Sequence, residues 1–485
     1  MRDLVVLGAG MGGAITAWIG ARLGLRVLLV EKGRHPRFAI GESSTPLSNL
    51  LLEQLADRYG LDGLGALARW GTWQREHPDL RVGRKRGFTF LHHPFDGARS
   101  DQLLVAASAR PELADTHWMR EDVDAWLVDQ AIAAGVEYVD EAVVSDIAPP
   151  RLRLNGEPVD ARLVVDATGQ AAVVPRALGV PAVGFVDLPP RAAIYGHVTG
   201  ARRIADLHSF DGAPYPPDEA ALHHLVGDAW VWVLRFDDGR ASVGAVLPAA
   251  SSWDDVLDRS PTLRAQLGDA SFVTPIHRAT IGHRFARGAG PGWVALPQSA
   301  AFVDPMLSTG FALTLGAVTR LAGLLEDGLD GIDAPLAAGA ASDLADADAL
   351  ATLVAALMAS SRDPEVFRGL ALLYFAGITQ AETRGRLGRP VRFMHLDHPV
   401  FGPAVLRLAR AAAAGTMDRA ELLAGLAQTI APLDVAGFSD PERAPYYPVL
   451  LDDLLDHADR VDSTPPELRA MLARWGLATS PAGAC

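Results

Sequence analysis

The sequence predicts an α/β protein: a βαβ unit at the start, an inserted strand-rich part, and a helical C-terminal region. Three observations predict it. Residues 4–7, 14–23 and 25–30 read strand, helix, strand around a glycine turn at 8–13, which is a βαβ unit and implies a parallel sheet. Residues 193–198, 230–236 and 241–246 read as strands, the last two joined by Asp237-Asp238-Gly239. Beyond Pro305 the chain is Ala- and Leu-rich with helical character almost to its end.

Each element has a local reason. Leu4-Val5-Val6-Leu7 is an uncharged apolar run of the kind buried on both faces, and 25–30 repeats it before ending at Glu31. A helix over Pro46–Tyr59 precedes a Trp- and Arg-rich segment at 70–90. Residues 115–134 have helical composition, with Trp118, Val123, Trp126, Leu127 and Ala131 apolar. Strands at Arg151–Leu154 and 162–165 flank Asn155-Gly156, a hairpin signal. The middle strands suggest a mixed or antiparallel sheet. Candidate helices follow at 311–325, 343–358, 364–380, 405–414 and Arg419–Ile430, and the alanine-heavy 334–351 reads as helix rather than linker. The expected division is residues 1–180 with 270–330 as one discontinuous dinucleotide-binding domain. Residues 181–269, with part of 70–110, make a strand-rich substrate domain, and 331–485 a helical cover over the pocket.

Composition narrows the class. A chain of 485 residues that is 49% hydrophobic can bury a large core without disulfides or a structural metal. The single cysteine, Cys485, excludes an internal disulfide, a Cys-type zinc site and a cysteine nucleophile, and fits a reducing, cytoplasmic compartment. A net charge of −14 argues against nucleic-acid binding, which needs clustered Lys and Arg. The longest nearly uncharged run, 288–319, carries only Asp304 but is broken by Pro291, Pro297 and Pro305, so it does not span a bilayer. With no signal-peptide pattern at the start, a soluble protein is expected.

Gly8-Ala9-Gly10-Met11-Gly12-Gly13 is G-x-G-x-x-G between a strand and a helix. Gly8 permits the tight turn, Gly10 lets a pyrophosphate approach the backbone, and Gly13 lets helix and strand pack closely. The helix N-terminus then faces the phosphates, and Glu31 stands where a carboxylate accepts ribose hydroxyls. The plain alternative is a structural glycine turn.

Later segments carry a resemblance. Asp166-Ala167-Thr168-Gly169 resembles the motif at which FAD-dependent hydroxylases and their relatives pass beside the flavin, and Arg120 followed by Asp124 resembles their flavin-contacting arginine. No second glycine-rich βαβ unit offers a nicotinamide site, so FAD without an NADPH domain is implied. Gly41-Glu42-Ser43-Ser44-Thr45-Pro46, Lys85-Arg86-Gly87-Phe88-Thr89-Phe90, Trp230-Val231-Trp232-Val233-Leu234-Arg235 and Phe302-Val303-Asp304-Pro305-Met306-Leu307-Ser308-Thr309-Gly310 resemble, in order, segments of the flavin-dependent halogenases. The match runs from residue 1 to about 320 and is closest in character to the free-phenol type.

The resemblance implies a mechanism and its residues. FADH2, supplied by a separate NAD(P)H flavin reductase, reacts with oxygen to a C4a-hydroperoxide that oxidises chloride or bromide to hypohalous acid. Lys85 relays that oxidant to an electron-rich aromatic of natural-product biosynthesis, free or tethered to a carrier protein. Cofactor contacts are implied at Gly8, Gly10, Gly13, Glu31, Glu42, Ser43, Arg120, Asp166, Gln298, Asp304 and Gly310. Thr309 and Gly310 would hold the halide, and Trp230, Trp232 and Pro305 would wall a tunnel; no metal is implied.

Each residue also has a plainer reading. Lys85 among Arg81, Arg84 and Arg86 fits a solvated patch, but lysine is rare in this chain and 87–90 looks like a buried strand. Trp230 and Trp232 fit core aromatics on one strand face, and Thr309-Gly310 fits a simple helix start. As general base, His92, His93, His223, His224 and Glu42 are all open, because spacing does not choose among them. Departures from the family pattern also matter. Pro297-Gln298 replaces the usual Gly-Asp, Arg235 replaces Pro, and Leu307 stands where tryptophan halogenases carry glutamate, which favours a phenolic over an indolic substrate. Two alternatives follow: an aromatic hydroxylase of the same fold, and a non-catalytic flavin-binding scaffold.

Overall fold

The computed structural model describes residues 1–477; Cys485 lies outside the described residues. Two large sheets organise it. The first runs Ala289–Gly290, Trp293–Ala295, Glu157–Asp166, Arg2–Leu7, Val27–Val30, Glu137–Val139, with Val144–Ala148 and Arg151–Leu154 off that path. From Trp293–Ala295 to Glu137–Val139 every pairing is parallel. Its central strands are apolar and buried on both faces, as a parallel sheet covered by helices requires. The Asn155-Gly156 turn is present with both residues at positive φ, joining Arg151–Leu154 to Glu157–Asp166.

The second sheet has nine strands and holds the predicted trio. Its order is Ser271–Phe272, Arg191–Thr199, Ala241–Leu247, Ala229–Arg235, Ala221–Val226, Gly87–His92, Gln102–Ala106, Tyr446–Tyr447, with His277–Ile281 also on Arg191–Thr199. It is mixed: Ala221–Val226 runs parallel to Gly87–His92, and Tyr446–Tyr447 parallel to Gln102–Ala106. The helices Gly310–Glu326, Asp333–Ala359, Pro364–Arg386, Phe401–Ala414 and Arg419–Ile430 follow, all but the last longer than expected. No helix among the described residues is long and apolar enough to cross a membrane.

Three local expectations need correcting. The glycine turn ends at Gly10, because the helix Met11–Arg22 already includes Gly12 and Gly13. The helix expected over 115–134 covers only Arg120–Ala133; Asp115–Trp118 is a fully buried strand paired with Val82–Lys85, so Arg120 directly follows a ladder. Its polar composition suggested a helix start, and tertiary pairing overrode that preference. Ala221–Val226 was not foreseen, since His223 and His224 interrupt its apolar pattern.

Gly13 shows why the first unit is so compact. A Cβ there would overlap the Gly8 carbonyl oxygen and come within 3.0 Å of the Ala167 Cβ. Helix and strand therefore touch backbone to backbone at this point. We expect Gly13→Ala to lower the unfolding free energy of the cofactor-free protein by about 3 kcal/mol, the upper part of the usual cost of overpacking, measured from the denaturant midpoint.

Candidate active site

The site begins at the glycine loop. Gly8 has φ +95°, and a Cβ would stand 2.5 Å from the Ala167 carbonyl oxygen, so a side chain is excluded twice. Gly10 caps the helix Met11–Arg22 without a side-chain hydrogen bond, which leaves the first helical N–H groups to an outside acceptor. Glu31, 4% exposed, accepts from the N–H of Ala9 at 3.0 Å and of Gly33 at 3.1 Å, and from Arg37 Nη2 at 2.8 Å. Burial pushes its carboxyl up, but Arg37 and those N–H donors outweigh it and hold the group below its ordinary value.

Arg120 draws the next segment in. Its Nε and Nη2 donate to the two oxygens of Asp124 at 2.8 and 2.9 Å, one turn along the helix. Its Nη1 donates to the carbonyls of Gly41 at 2.8 Å and Ile40 at 3.2 Å. Glu42 then turns inward, and its Oε1 lies 2.6 Å from His197 Nε2 on the second sheet, both groups buried.

These elements enclose one cavity of about 750 Å3, within the range of small-molecule and cofactor sites. Its wall includes Gly8, Gly10, Glu31, Glu42, Ser43 and Arg120 at one end, and Gln298, Asp304, Pro305, Thr309 and Gly310 along its length. Trp230, Trp232 and His223 also line it. The indoles of Trp230 and Trp232 have centroids 5.6 Å apart, and Trp230 lies 5.2 Å from His223. The cavity carries buried polar atoms that have no hydrogen-bond partner: Glu42 Oε2, Ser43 Oγ, Asp304 Oδ2, Thr314 Oγ1, His223 Nδ1 and Trp230 Nε1. A buried polar group is normally satisfied, so this row of orphans, with the glycine cradle and open helix terminus, fits a polar dinucleotide.

Some predicted residues stand elsewhere. Gly13 does not line the cavity and acts beneath it, in the helix–strand contact described above. Asp166 does not line it either. Its Oδ1 accepts from Thr168 N and Oγ1 at 2.9 and 2.6 Å, and its Oδ2 from Val174 N at 2.7 Å, so this carboxylate shapes the turn instead of meeting a ligand. The lining residues of that motif are Ala167, Thr168 and Gly169.

The helix Gly310–Glu326 starts at the wall with Thr309 as a cap that makes no side-chain hydrogen bond, so its first N–H groups also point at the cavity. Gln298 packs beside it, its Nε2 3.6 Å from where a Gly310 Cβ would be. Asp304 Oδ1 accepts from Met306 N at 2.9 Å, and burial pushes the carboxyl up to about 6.

Lys85 lies one layer behind the wall. It is fully buried, donates from Nζ to the Ser44 carbonyl at 2.6 Å, and stands 4.0 Å from the Phe88 ring centroid. Phe88 in turn stacks 6.0 Å from His223, which lines the cavity. No solvated patch surrounds it: Arg81 pairs with Glu121 and Asp122, Arg84 with Glu219, and Arg86 is buried. Of the five candidate bases, only His223 and Glu42 reach the cavity. His224 bonds His93 at 3.0 Å, and His92 bonds the Ser361 carbonyl at 2.8 Å. Sequence reasoning missed His197, Asp115 and Asn49, whose partners are distant in the chain and carry no local signal.

Comparison with known proteins agrees with this arrangement. The NAD(P)-binding Rossmann-like domain family matches residues 6–49. Over 354 residues the chain is 29% identical to the monodechloroaminopyrrolnitrin halogenase PrnC of Pseudomonas fluorescens, covering 67% of this chain and 61% of that protein. It is 26% identical over 348 residues to the tetracycline 7-halogenase of Kitasatospora aureofaciens, covering 66% and 62% respectively. The aligned part thus spans under two thirds of either relative's length. The structure of halogenase PltM in complex with phloroglucinol and FAD shares the fold, with a TM-score of 0.84 over 92% of this chain and 99% of that one, at 21% identity. On these likenesses, together with the order of its motifs, the chain is similar to the flavin-dependent halogenases.

Proposed function

We propose that this chain is an FADH2-dependent halogenase that places chlorine or bromine on an electron-rich, phenolic aromatic. One observation carries this: a single cavity is lined by the glycine loop, the Arg120 clamp, Trp230, Trp232 and His223, with Lys85 one side chain behind His223. The residues fit FAD. The N–H groups after Gly10 would take the pyrophosphate, Glu31 the ribose hydroxyls, and Ser43, Gln298 and Asp304 the ribityl and ring polar atoms. Bound reduced FAD would supply the oxygen activation that converts halide to hypohalous acid, and a separate NAD(P)H flavin reductase would supply the reduced cofactor. We divide the chain as expected from sequence, except that Ser271–Phe272, His277–Ile281 and Tyr446–Tyr447 pair into the second sheet and so go with the strand-rich domain.

The chain's own groups then divide the work. The N–H groups at Thr309 and Gly310 offer a small anion site at the positive end of a helix. Trp230 and Trp232, on the cavity wall, would admit a small oxidant while holding an aromatic substrate away. Lys85 donates a hydrogen bond to the oxygen of hypohalous acid, orienting the halogen toward the ring. His223, pushed down to about 3 by burial and the neighbouring Lys85 charge, stays neutral at working pH and adds no competing cation. Leu307, where tryptophan halogenases carry an acid, supports the phenolic class, as do PltM, solved with phloroglucinol, and the tetracycline halogenase.

The test is mass spectrometry of phenol and indole panels incubated with the protein, FAD, a flavin reductase, NADH and bromide or chloride. Halogen-for-hydrogen mass shifts on phenols support the assignment; no shift on any panel member overturns it. We expect Lys85→Met to reduce halogenated product at least about 100-fold, the low end of what a positioned proton-transfer group contributes, while FAD titration by fluorescence stays unchanged. We expect Gly10→Leu to weaken FAD binding at least about tenfold in the same titration, because a side chain there occupies the pyrophosphate approach.

A further inference from the structure

Lys85 ends the strand Val82–Lys85 and stands directly across from Asp115 in the antiparallel ladder with Asp115–Trp118. Register partners in such a ladder project to the same side. Both are buried, Lys85 fully and Asp115 to within 4%. Asp115 Oδ1 accepts from Asn49 Nδ2 at 2.7 Å, and its Oδ2 has no hydrogen-bond partner. A carboxylate out of water with one neutral donor is costly unless a cation faces it. Lys85 is the cation its strand partner supplies, and it is one of only two lysines in the chain, the other being Lys32. In a sequence that otherwise uses arginine for ion pairs, a buried lysine is the cation that can give up its proton.

We propose that Asp115 is the positioning residue of Lys85: its buried carboxylate, across the ladder and out of hydrogen-bond contact, acts through its charge and sets how firmly the lysine holds its proton. The proposal takes its catalytic meaning from the halogenase assignment, in which the charged form donates to the oxidant. Burial pushes Lys85 down and Asp115 opposes it, while burial pushes Asp115 up and Lys85 opposes that.

The surrounding groups do not compete for this proton. His117, on the Asp115 strand, and His223, on Ala221–Val226, are both pushed down to about 3 by burial and by the Lys85 charge, so they stay neutral. From the helix Pro364–Arg386, Glu382 raises Asp115 and Arg386 lowers it, and the two pair with each other at 2.7 Å. The remaining contacts of the pair are the neutral Ser44 carbonyl, Asn49 and the Phe88 ring.

The experiment labels lysine with 13C at Cε in the full-length protein. Two resonances result, assigned with Lys32→Arg, and the Lys85 signal is followed through a pH titration. Removing the opposing charge makes the ammonium less stable, so Asp115→Asn is expected to move the Lys85 midpoint to lower pH by at least about one unit, a tenfold loss of proton affinity. Asn49→Ala leaves the carboxyl in place but removes the bond that keeps it ionised, and is expected to give a smaller shift of the same sign. It decides the matter if Asp115→Asn does not fold. The lysine-dependent limb of the pH profile for halogenated product moves with the midpoint. Unchanged Lys85 titration in these variants, or a shift to higher pH, overturns the proposal. Absence of halogenated product from the wild type at every pH overturns the halogenase assignment instead and leaves the titration to judge the pair.

Discussion

The Arg120 guanidinium, held flat by both oxygens of Asp124, fixes the carbonyls of Ile40 and Gly41, and from that clamp the chain reaches every part of the site. The next residues radiate from it. Glu42 meets His197 on the second sheet, Ser43 lines the cavity, and the Ser44 carbonyl receives Lys85. Thr45 then caps the helix Pro46–Tyr59, which carries Asn49 to Asp115. Arginine suits this post because its planar donors satisfy a carboxylate and two carbonyls at once and it keeps its charge when buried. Loosening it would leave the buried Asp124 charge with only Arg37, 3.9 Å away, and release the segment that joins the two sheets.

The interior near this clamp is unusually polar. Asp304, Asp115, Lys85 and the Glu42–His197 pair are all buried, and several of their atoms lack partners. Such groups oppose folding unless something compensates. The apolar mass of the two sheets and the long C-terminal helices supplies that compensation, so the site is held in place by a core that takes no part in its chemistry.

What the sequence made legible was local. The βαβ unit from Arg2 to Glu31 could be read because its strand, glycine turn, helix and acid all lie within about thirty residues and each type has one conformational reason to be there. The helix at Pro46–Tyr59 was equally clear from its boundaries. The motif at Asp166 pointed to the right turn but the wrong atom, because a carboxylate beside a ligand and one bracing the turn that holds it look identical in sequence. Asp115–Trp118 and Ala221–Val226 were hidden because polar residues occupy buried strand positions there, and only the pairing partners make those positions habitable. His197 met Glu42 across 155 residues, a juxtaposition that no periodicity encodes.

The parallel pairing of Tyr446–Tyr447 with Gln102–Ala106 has a consequence for how the molecule is made. On a ribosome, the strand Gln102–Ala106 emerges more than three hundred residues before the short strand that covers its outer side. During that interval the second sheet has an open, apolar border able to pair with a neighbouring nascent chain. The contact also closes one of the longest loops in the protein, so it belongs among the late events of folding. A protein that stops short of residue 446 would retain its glycine loop and its lysine, yet carry a permanently adhesive margin on the sheet that bears them.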